Sequence, residues 1–306
     1  MKLLLLLFLS CFFCHDTYAR VDNRKYADWG AYPYNMIVMV NFSGTGQYVA
    51  PDLVLTNLHV VDQVCYDANV DYINERGCDL LDSLEREFQG DVIAVGRPYS
   101  VMSGKALADD GRGPATDWAL IRVRDPRFFR YDYFNVMPQA VAGRVVNAGF
   151  GAMRIITDAE LRVIRKKFVR LMRQKRALNN DDDVILKHFS FEKFISELDE
   201  AVTYDDEDGR AMAPLFQDGD KLKFSRCEIE NTAGGYLLHR CMGAHGNSGG
   251  AFWTGENDLH GILVSGNDSL YKKTMKIGYG VDSKSFYDTV MKETVLYEDF
   301  DSKELE

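Results

Sequence analysis

The chain has 306 residues, 46% of them hydrophobic and 27% charged, enough to bury a substantial core; at about 150 residues per domain, it builds roughly two domains. Thirty-six Lys and Arg against 46 Asp and Glu give a formal net charge of -10, which argues against a general nucleic-acid binder, because that function needs a basic face. Six cysteines are too few for a small disulfide-built scaffold.

Met1-Lys2 supplies a basic start, and Leu3 to Leu9 with Ser10-Cys11-Phe12-Phe13 an apolar run. Thr17-Tyr18-Ala19 then ends in the small residue that a signal peptidase requires. The pattern predicts a cleaved secretory signal over residues 1–19, a mature chain from near Arg20, and no stable membrane span after cleavage. The expected location is secreted or periplasmic. An uncleaved anchor fits less well, and Phe8-Leu9-Ser10-Cys11 is a poor lipobox. Cys11 and Cys14 would leave with the signal. The remaining Cys65, Cys78, Cys227 and Cys241 allow three pairings, of which sequence proximity favours Cys65–Cys78 and Cys227–Cys241. Neither pair has CxxC spacing and no histidine sits at ligand spacing, so no metal is expected.

Strand texture begins with the apolar run Met36-Ile37-Val38-Met39-Val40. A turn at Ser43-Gly44-Thr45-Gly46 leads to Gln47-Tyr48-Val49-Ala50. Pro51-Asp52 separates this from Leu53-Val54-Leu55-Thr56. Val92 to Val95, Trp118 to Val123 and Ala142 to Ala148 read as further strands. Short strands between Gly, Pro and Asp turns favour a barrel or sandwich over a βαβ fold.

The texture changes after residue 151. Leu161, Ile164, Phe168, Leu171, Met172 and Leu178 fall at helical spacing, and Thr157 or Asp158 could cap the start. Eight Lys and Arg crowd this stretch between Arg162 and Arg176. Phe191 to Val202 reads as a second helix, followed by the acidic loop Asp205-Asp206-Glu207-Asp208-Gly209. Residues 152–222 are therefore expected to be a mostly helical insertion in a β protein. Strands resume near Lys223, and Lys284 to Leu296 reads as a closing helix.

Three segments carry chemistry-bearing residues: Leu55-Thr56-Asn57-Leu58-His59-Val60-Val61, Thr116-Asp117-Trp118-Ala119-Leu120-Ile121 and Gly246-Asn247-Ser248-Gly249-Gly250-Ala251. A histidine ending an apolar strand or an aspartate opening one is by itself usually structural. Glycines flanking a serine mark a tight backbone turn, and this turn lacks the lysine of a phosphate-binding loop. In the order His, Asp, Ser, the three together resemble the chymotrypsin/trypsin-like serine peptidases. The resemblance includes Gly44-Thr45-Gly46 ahead of the histidine and Leu259 to Gly266 after the serine. It covers most of residues 34–150 and 223–290. Thr56-Asn57-Leu58-His59-Val60-Val61, Gly246-Asn247-Ser248-Gly249, and Cys227, Leu238, His239 and Cys241 are similar to the bacterial glutamyl-endopeptidase-like branch.

The resemblance implies an all-β chain of two antiparallel six-stranded barrels, with the helical insertion in the second and a C-terminal helix. Residues 20–138 would form the first barrel with His59 and Asp117. Residues 139–306 would form the second with Ser248. The implied activity is endopeptidase cleavage through an acyl-enzyme, without a cofactor. Ser248 is the implied nucleophile, His59 the general acid/base and Asp117 its orienter. The backbone N–H groups of Gly246 and Ser248 are the implied oxyanion donors. Met242, Gly243, Leu263, Val264, Ser265, Gly266 and Gly280 would surround the specificity pocket. No acidic residue stands at its base, and Leu263 replaces the histidine of glutamyl-specific members, so an apolar or small side chain is the expected substrate feature. Asn247 stands where digestive members carry an aspartate, and a neutral amide cannot form that aspartate's ion pair with a new N-terminus. The expected partner is a peptide or protein substrate; the insertion reads first as a solvated amphipathic helical pair packed on the second barrel, and alternatively as an exosite or lid that recruits a protein partner. Two rivals share the residues: a catalytically silent peptidase-fold binding or adhesion protein, and a serine esterase or amidase acting on small molecules.

Overall fold

The computed structural model describes residues 23–67, 72–73, 75–96, 114–151, 155, 157, 160, 166, 219–243, 246–265 and 278–294. A two-residue strand, β1 (Lys25–Tyr26), comes first. Then follow β2 (Ile37–Val40), β3 (Gly44–Ala50) and β4 (Leu53–Thr56). A small ribbon of β5 (Tyr66–Asp67) and β6 (Tyr72–Ile73) precedes β7 (Cys78–Leu81), β8 (Glu87–Val95) and β9 (Ala119–Val123). Six of these strands close on themselves in the order β2-β3-β4-β9-β8-β7, every neighbour antiparallel.

The second half contributes β10 (Asn135–Val136), β11 (Gly143–Phe150), β12 (Leu222–Ala233) and β13 (Tyr236–His239). It continues with β14 (Ala251–Thr254), β15 (Asp258–Ser265) and β16 (Gly278–Asp282). The order β12-β11-β14-β15-β16-β13 closes because β12 also pairs with β13, giving a second antiparallel ring of six. Outside the ring, β1 adds antiparallel to β12 and β10 parallel to β15. The chain is thus all-β, a pair of six-stranded barrels, as the resemblance implied. Closure leaves neither ring a free strand edge.

Side-chain alternation shows why the early strands are apolar on both faces. In β2, Val38 and Val40 join a cluster with Val54, Ile121, Val123 and Phe88 that fills the first barrel. The intervening Ile37 and Met39 point the other way, into a cluster with Phe134, Phe150, Trp253, Ile262 and Val281 that joins the two barrels. A strand between two cores has no polar side to show. The second barrel has its own interior of Val145, Ile229, Leu237, Phe252 and Leu263.

Turns and crosslinks fix the geometry. Asn41 and Phe42 in the β2–β3 turn both take left-handed backbone angles. Asn41 is locked there by its side chain, which donates to Val60 O and accepts from Asp79 N–H. Cys65–Cys78 and Cys227–Cys241 are both bonded, the pairing that proximity favoured. Helix α1 (Leu58–Val61) is a single turn. The closing helix, α2, spans residues 287–294 of the described chain, and the start of the segment expected to be helical, Ser283–Ser285, is a separate 3-10 turn. The buried Asp282 carboxylate caps that turn and also accepts the N–H of Ala140. Phe286 and Val290 join the interbarrel cluster. At the start of the expected insertion, Thr157 and Glu160 form a reciprocal capping box. Almost all of the rest of 152–218, and the signal segment, lie outside the described residues.

Candidate active site

The chain leaves β4 at Thr56 and turns through Asn57 into α1, so His59 sits on a helical turn instead of at the end of a strand. Asn57 caps nothing; its buried amide donates to Asp117 O at 2.7 Å and ties the histidine turn to the segment entering β9. The Asp117 carboxylate then engages His59 twice. Oδ1 accepts the backbone N–H at 3.0 Å, and Oδ2 lies 2.7 Å from ring Nδ1. A carboxylate can only accept, so the proton between them resides on Nδ1 and Nε2 keeps its lone pair when the ring is neutral. Asp117 is buried, with 9% of its side chain exposed, while His59 keeps 38% and so reaches solvent. Burial pushes the imidazole pKa down, but the charge and hydrogen bond of Asp117 outweigh it and leave the pKa raised above 6.5.

Ser248 lies on a glycine-rich turn. Gly246 and Gly249 have φ of 95° and 84°, which glycine adopts without strain. At Gly249 glycine is required twice over, because a Cβ would stand 2.0 Å from Thr45 O. The turn closes through Gly250 N–H to Asn247 O and is pinned to β15 through Gly249 N–H to Leu263 O.

Thr45 of the first barrel binds this turn of the second. Its N–H donates to Ser248 O at 2.8 Å and its hydroxyl to Gly246 O at 3.0 Å. The same hydroxyl accepts Phe150 N–H, and Thr45 O accepts the Thr56 hydroxyl at 2.7 Å. Thr56 is three residues from His59, so the serine turn is bonded to the strand pair whose continuation carries the histidine. Ser248 Oγ is half-buried and lies 3.5 Å from Val264 O; it makes no hydrogen bond to the His59 ring. The N–H groups of Gly246 and Ser248 donate to no acceptor among the described residues.

The residues expected around the specificity pocket separate into different settings. Met242 and Gly243 are buried beside the serine turn in sequence. Leu263 packs inside the second barrel with Phe252 and Leu237, and Val264 joins the interbarrel cluster. Gly280 pairs with Leu263 across β15–β16, and Ser265 pairs with Tyr279. Gly266 and His245 lie outside the described residues. Asn247 is buried and its Oδ1 has no hydrogen-bond partner in the described chain. His239 is fully buried and accepts Cys241 N–H through Nδ1. His260, which carried no sequence signal, is buried against the Thr254 hydroxyl at 2.8 Å; burial lowers its pKa, against the pull of Asp258 and Asp282. Thr45 and Asn57 have interbarrel and interstrand duties that the local sequence did not announce. Among the described residues, no group of three or more His, Cys, Asp or Glu side chains is placed to hold a metal ion.

Two six-stranded antiparallel barrels, joined by a serine turn docked on the histidine-bearing barrel, are the architecture of the chymotrypsin-like fold. No protein-family model matches the sequence, and no curated protein matches it. Solved structures similar to the chain include a Glu endopeptidase in complex with MPD, at 13% identity and a TM-score of 0.49, over 89% of this chain and 96% of that one. Another is neuropsin, a serine protease expressed in the limbic system of mouse brain, at 12% identity and a TM-score of 0.46, over 85% and 94%. A third is an inactive mutant form of Rv3671c from M. tuberculosis, at 12% identity and a TM-score of 0.42, over 84% and 86%.

Proposed function

We propose that the chain is an exported serine endopeptidase. The observation that carries this reading is the doubly bonded His59–Asp117 couple, which leaves His59 Nε2 as a base, on the barrel end to which the Ser248 turn is fastened. A serine hydroxyl attacks a carbonyl only if a base takes its proton. His59 has that capacity if the Ser248 hydroxyl turns from Val264 O to the ring. Asp117 fixes the tautomer and stabilises the imidazolium. The unengaged N–H groups of Gly246 and Ser248 suit the tetrahedral oxyanion, where one lost donor costs about 10²–10³ in rate. His59 then returns the proton to the leaving amine, and water resolves the acyl-enzyme by the same route.

The apolar character of Met242 and Val264 favours a small or apolar residue before the scissile bond, whereas Leu263 and Gly280 face the interior of the second barrel. Two bonded disulfides fit an oxidising compartment and a signal at residues 1–19. Among the described residues, no helix is long and apolar enough to cross a membrane. We divide the mature chain at residues 138/139, one barrel to each side, with the insertion 152–222 in the second.

One observation favours a rival. Ser248 Oγ is directed to Val264 O and not to His59, as a silent peptidase-fold binder would allow. Labelling with a fluorophosphonate decides between them: the enzyme is labelled, and Ser248→Ala and His59→Ala abolish the label. A folded wild-type protein that takes no label would refute the enzyme reading. A peptide-library profile tests the pocket, and one dominated by Arg, Lys or Glu would overturn the apolar assignment. Hydrolysis of esters without hydrolysis of any peptide would move the activity to the esterase class.

A further inference from the structure

On the outer wall of the second barrel lies an open groove of about 560 Å³ whose lining includes none of His59, Asp117 and Ser248. It runs over the pairing of β11 with β12. Arg144 stands opposite Glu228, and Val146 opposite Arg226, so Arg144 and Arg226 are diagonal neighbours on one exposed face. Their partners on the other face, Val145 and Ile229, fill the barrel. Val146, partly exposed, gives the groove an apolar floor, with the buried Trp253 paired to it beneath. Arg240 closes one side, held by an ion pair to Glu230.

Charge in this groove runs against the rest of the molecule. Three arginines and one glutamate line it, while the chain as a whole carries -10. Among the described residues, neither Arg144 nor Arg226 forms an ion pair, and Glu228, opposite Arg144 on the same face, offsets only one of the two charges. Two such guanidiniums repel each other, and a ligand that brings carboxylates relieves the repulsion while making paired N–H···O bonds. The backbone spacing also matches an extended peptide. Diagonal neighbours in an antiparallel pair stand about 7–8 Å apart. Alternate residues of an extended peptide are about 6.8 Å apart on one face.

We propose that this groove binds an acidic polypeptide segment in extended form, with carboxylates at alternate residues on Arg144 and Arg226 and the intervening apolar surface over Val146 and Trp253. That such a segment is a substrate being recruited rests on the peptidase reading; its binding does not. The test uses the full chain carrying Ser248→Ala and a fluorescein-labelled (Glu-Ala)n peptide, read by anisotropy at low salt. Binding is expected. It should weaken about tenfold or more in Arg144→Gln/Arg226→Gln, which removes two charge-assisted contacts. It should also fall with salt and be absent for (Lys-Ala)n. Unchanged thermal unfolding of the double variant shows that the barrel is intact, and Arg144→Lys/Arg226→Lys serves as the milder pair if it is not. No binding by the parent, equal binding by the double variant, or tighter binding of a sulfated polysaccharide than of the peptide overturns the proposal. With Ser248 restored, the double variant should hydrolyse short neutral peptides at the parent rate. Absence of hydrolysis in both, with peptide binding retained, refutes the peptidase reading and leaves the groove standing.

Discussion

Asp117→Asn isolates the charge of the His59 partner while keeping its shape. The asparagine Oδ1 can still accept the His59 backbone N–H, now at 3.0 Å, so α1 stays in place. Its Nδ2 then faces ring Nδ1 across the present 2.7 Å bond. Nδ2 can only donate, which forces the ring proton to Nε2, where a serine proton would have to arrive. A reversed tautomer in such a couple costs about 10⁴ in kcat, or about 5.5 kcal/mol of transition-state stabilisation. The titration moves too. In the parent, burial lowers the imidazole pKa and Asp117 more than restores it, leaving it above 6.5. Without the carboxylate only burial remains, so the pKa falls below 6.5. The acid limb of kcat/KM should therefore shift to lower pH. The raised pKa also stabilises the fold: the contribution is complete below pH 6.5, is lost as pH rises through the folded value, and disappears in the variant. The assay is kcat/KM against pH with an apolar peptide substrate, together with an NMR titration of His59 in both proteins. A variant within tenfold of the parent kcat, or one with an unmoved acid limb, would refute the assignment of Asp117.

Gly249→Ala places a Cβ 2.0 Å from Thr45 O at a φ of 84°, so it should destabilise by about 3 kcal/mol or more in thermal unfolding; a loss under 1 kcal/mol would contradict the tight docking. Arg122 pairs with the buried Asp52 and with Glu293 on α2. Because Arg122 is itself 36% exposed, Arg122→Met should cost only about 2 kcal/mol at neutral pH. Burial already raises the Asp52 pKa against the pull of Arg122, so the deficit should shrink in urea titrations as acid protonates the carboxyl. Replacing Cys65 and Cys78 together by Ala frees a bridge with a sequence separation of 13; it should lower stability by about 3 kcal/mol and make unfolding insensitive to reductant at that bridge.

The fold was legible where the chain punctuates itself. Pro51-Asp52 separates two apolar runs, and those runs are β3 and β4. The number of strands was harder. β1 and β10 are two residues each, with no apolar alternation, and exist because β12 and β15 offer them partners. Which face of β2 looks into the barrel was also hidden, since Ile37, Val38, Met39 and Val40 are all apolar and all buried. In β7 the alternation shows directly in burial, because one face meets solvent. The same limit applies to the site. His59, Asp117 and Ser248 stood out only together, through their order in the chain and the motifs around them. Asn57 and Thr45 fall within those motifs, but their bonding roles did not show, because their partners are 60 and 201 residues away.

Thr45 explains how the first barrel holds the Ser248 turn of the second. A closed ring spends its backbone bonds internally, so contact between rings must come from groups that pairing leaves over. Thr45 supplies two of them: its N–H goes to Ser248 O and its hydroxyl links Gly246 O with Phe150 N–H, while its carbonyl receives the Thr56 hydroxyl within the first barrel. It is fully buried, so any of these bonds left unmade would cost about 1–3 kcal/mol with no water to repair it. That penalty holds the serine turn in register with the β4 end. The apolar cluster around Ile37, Phe150 and Trp253 draws the barrels together but is indifferent to a slip of an ångström. Hydrogen bonds are not, because they weaken steeply with misalignment. The hydrophobic contact therefore supplies the attraction between the barrels, and one threonine supplies the position of Ser248 relative to His59.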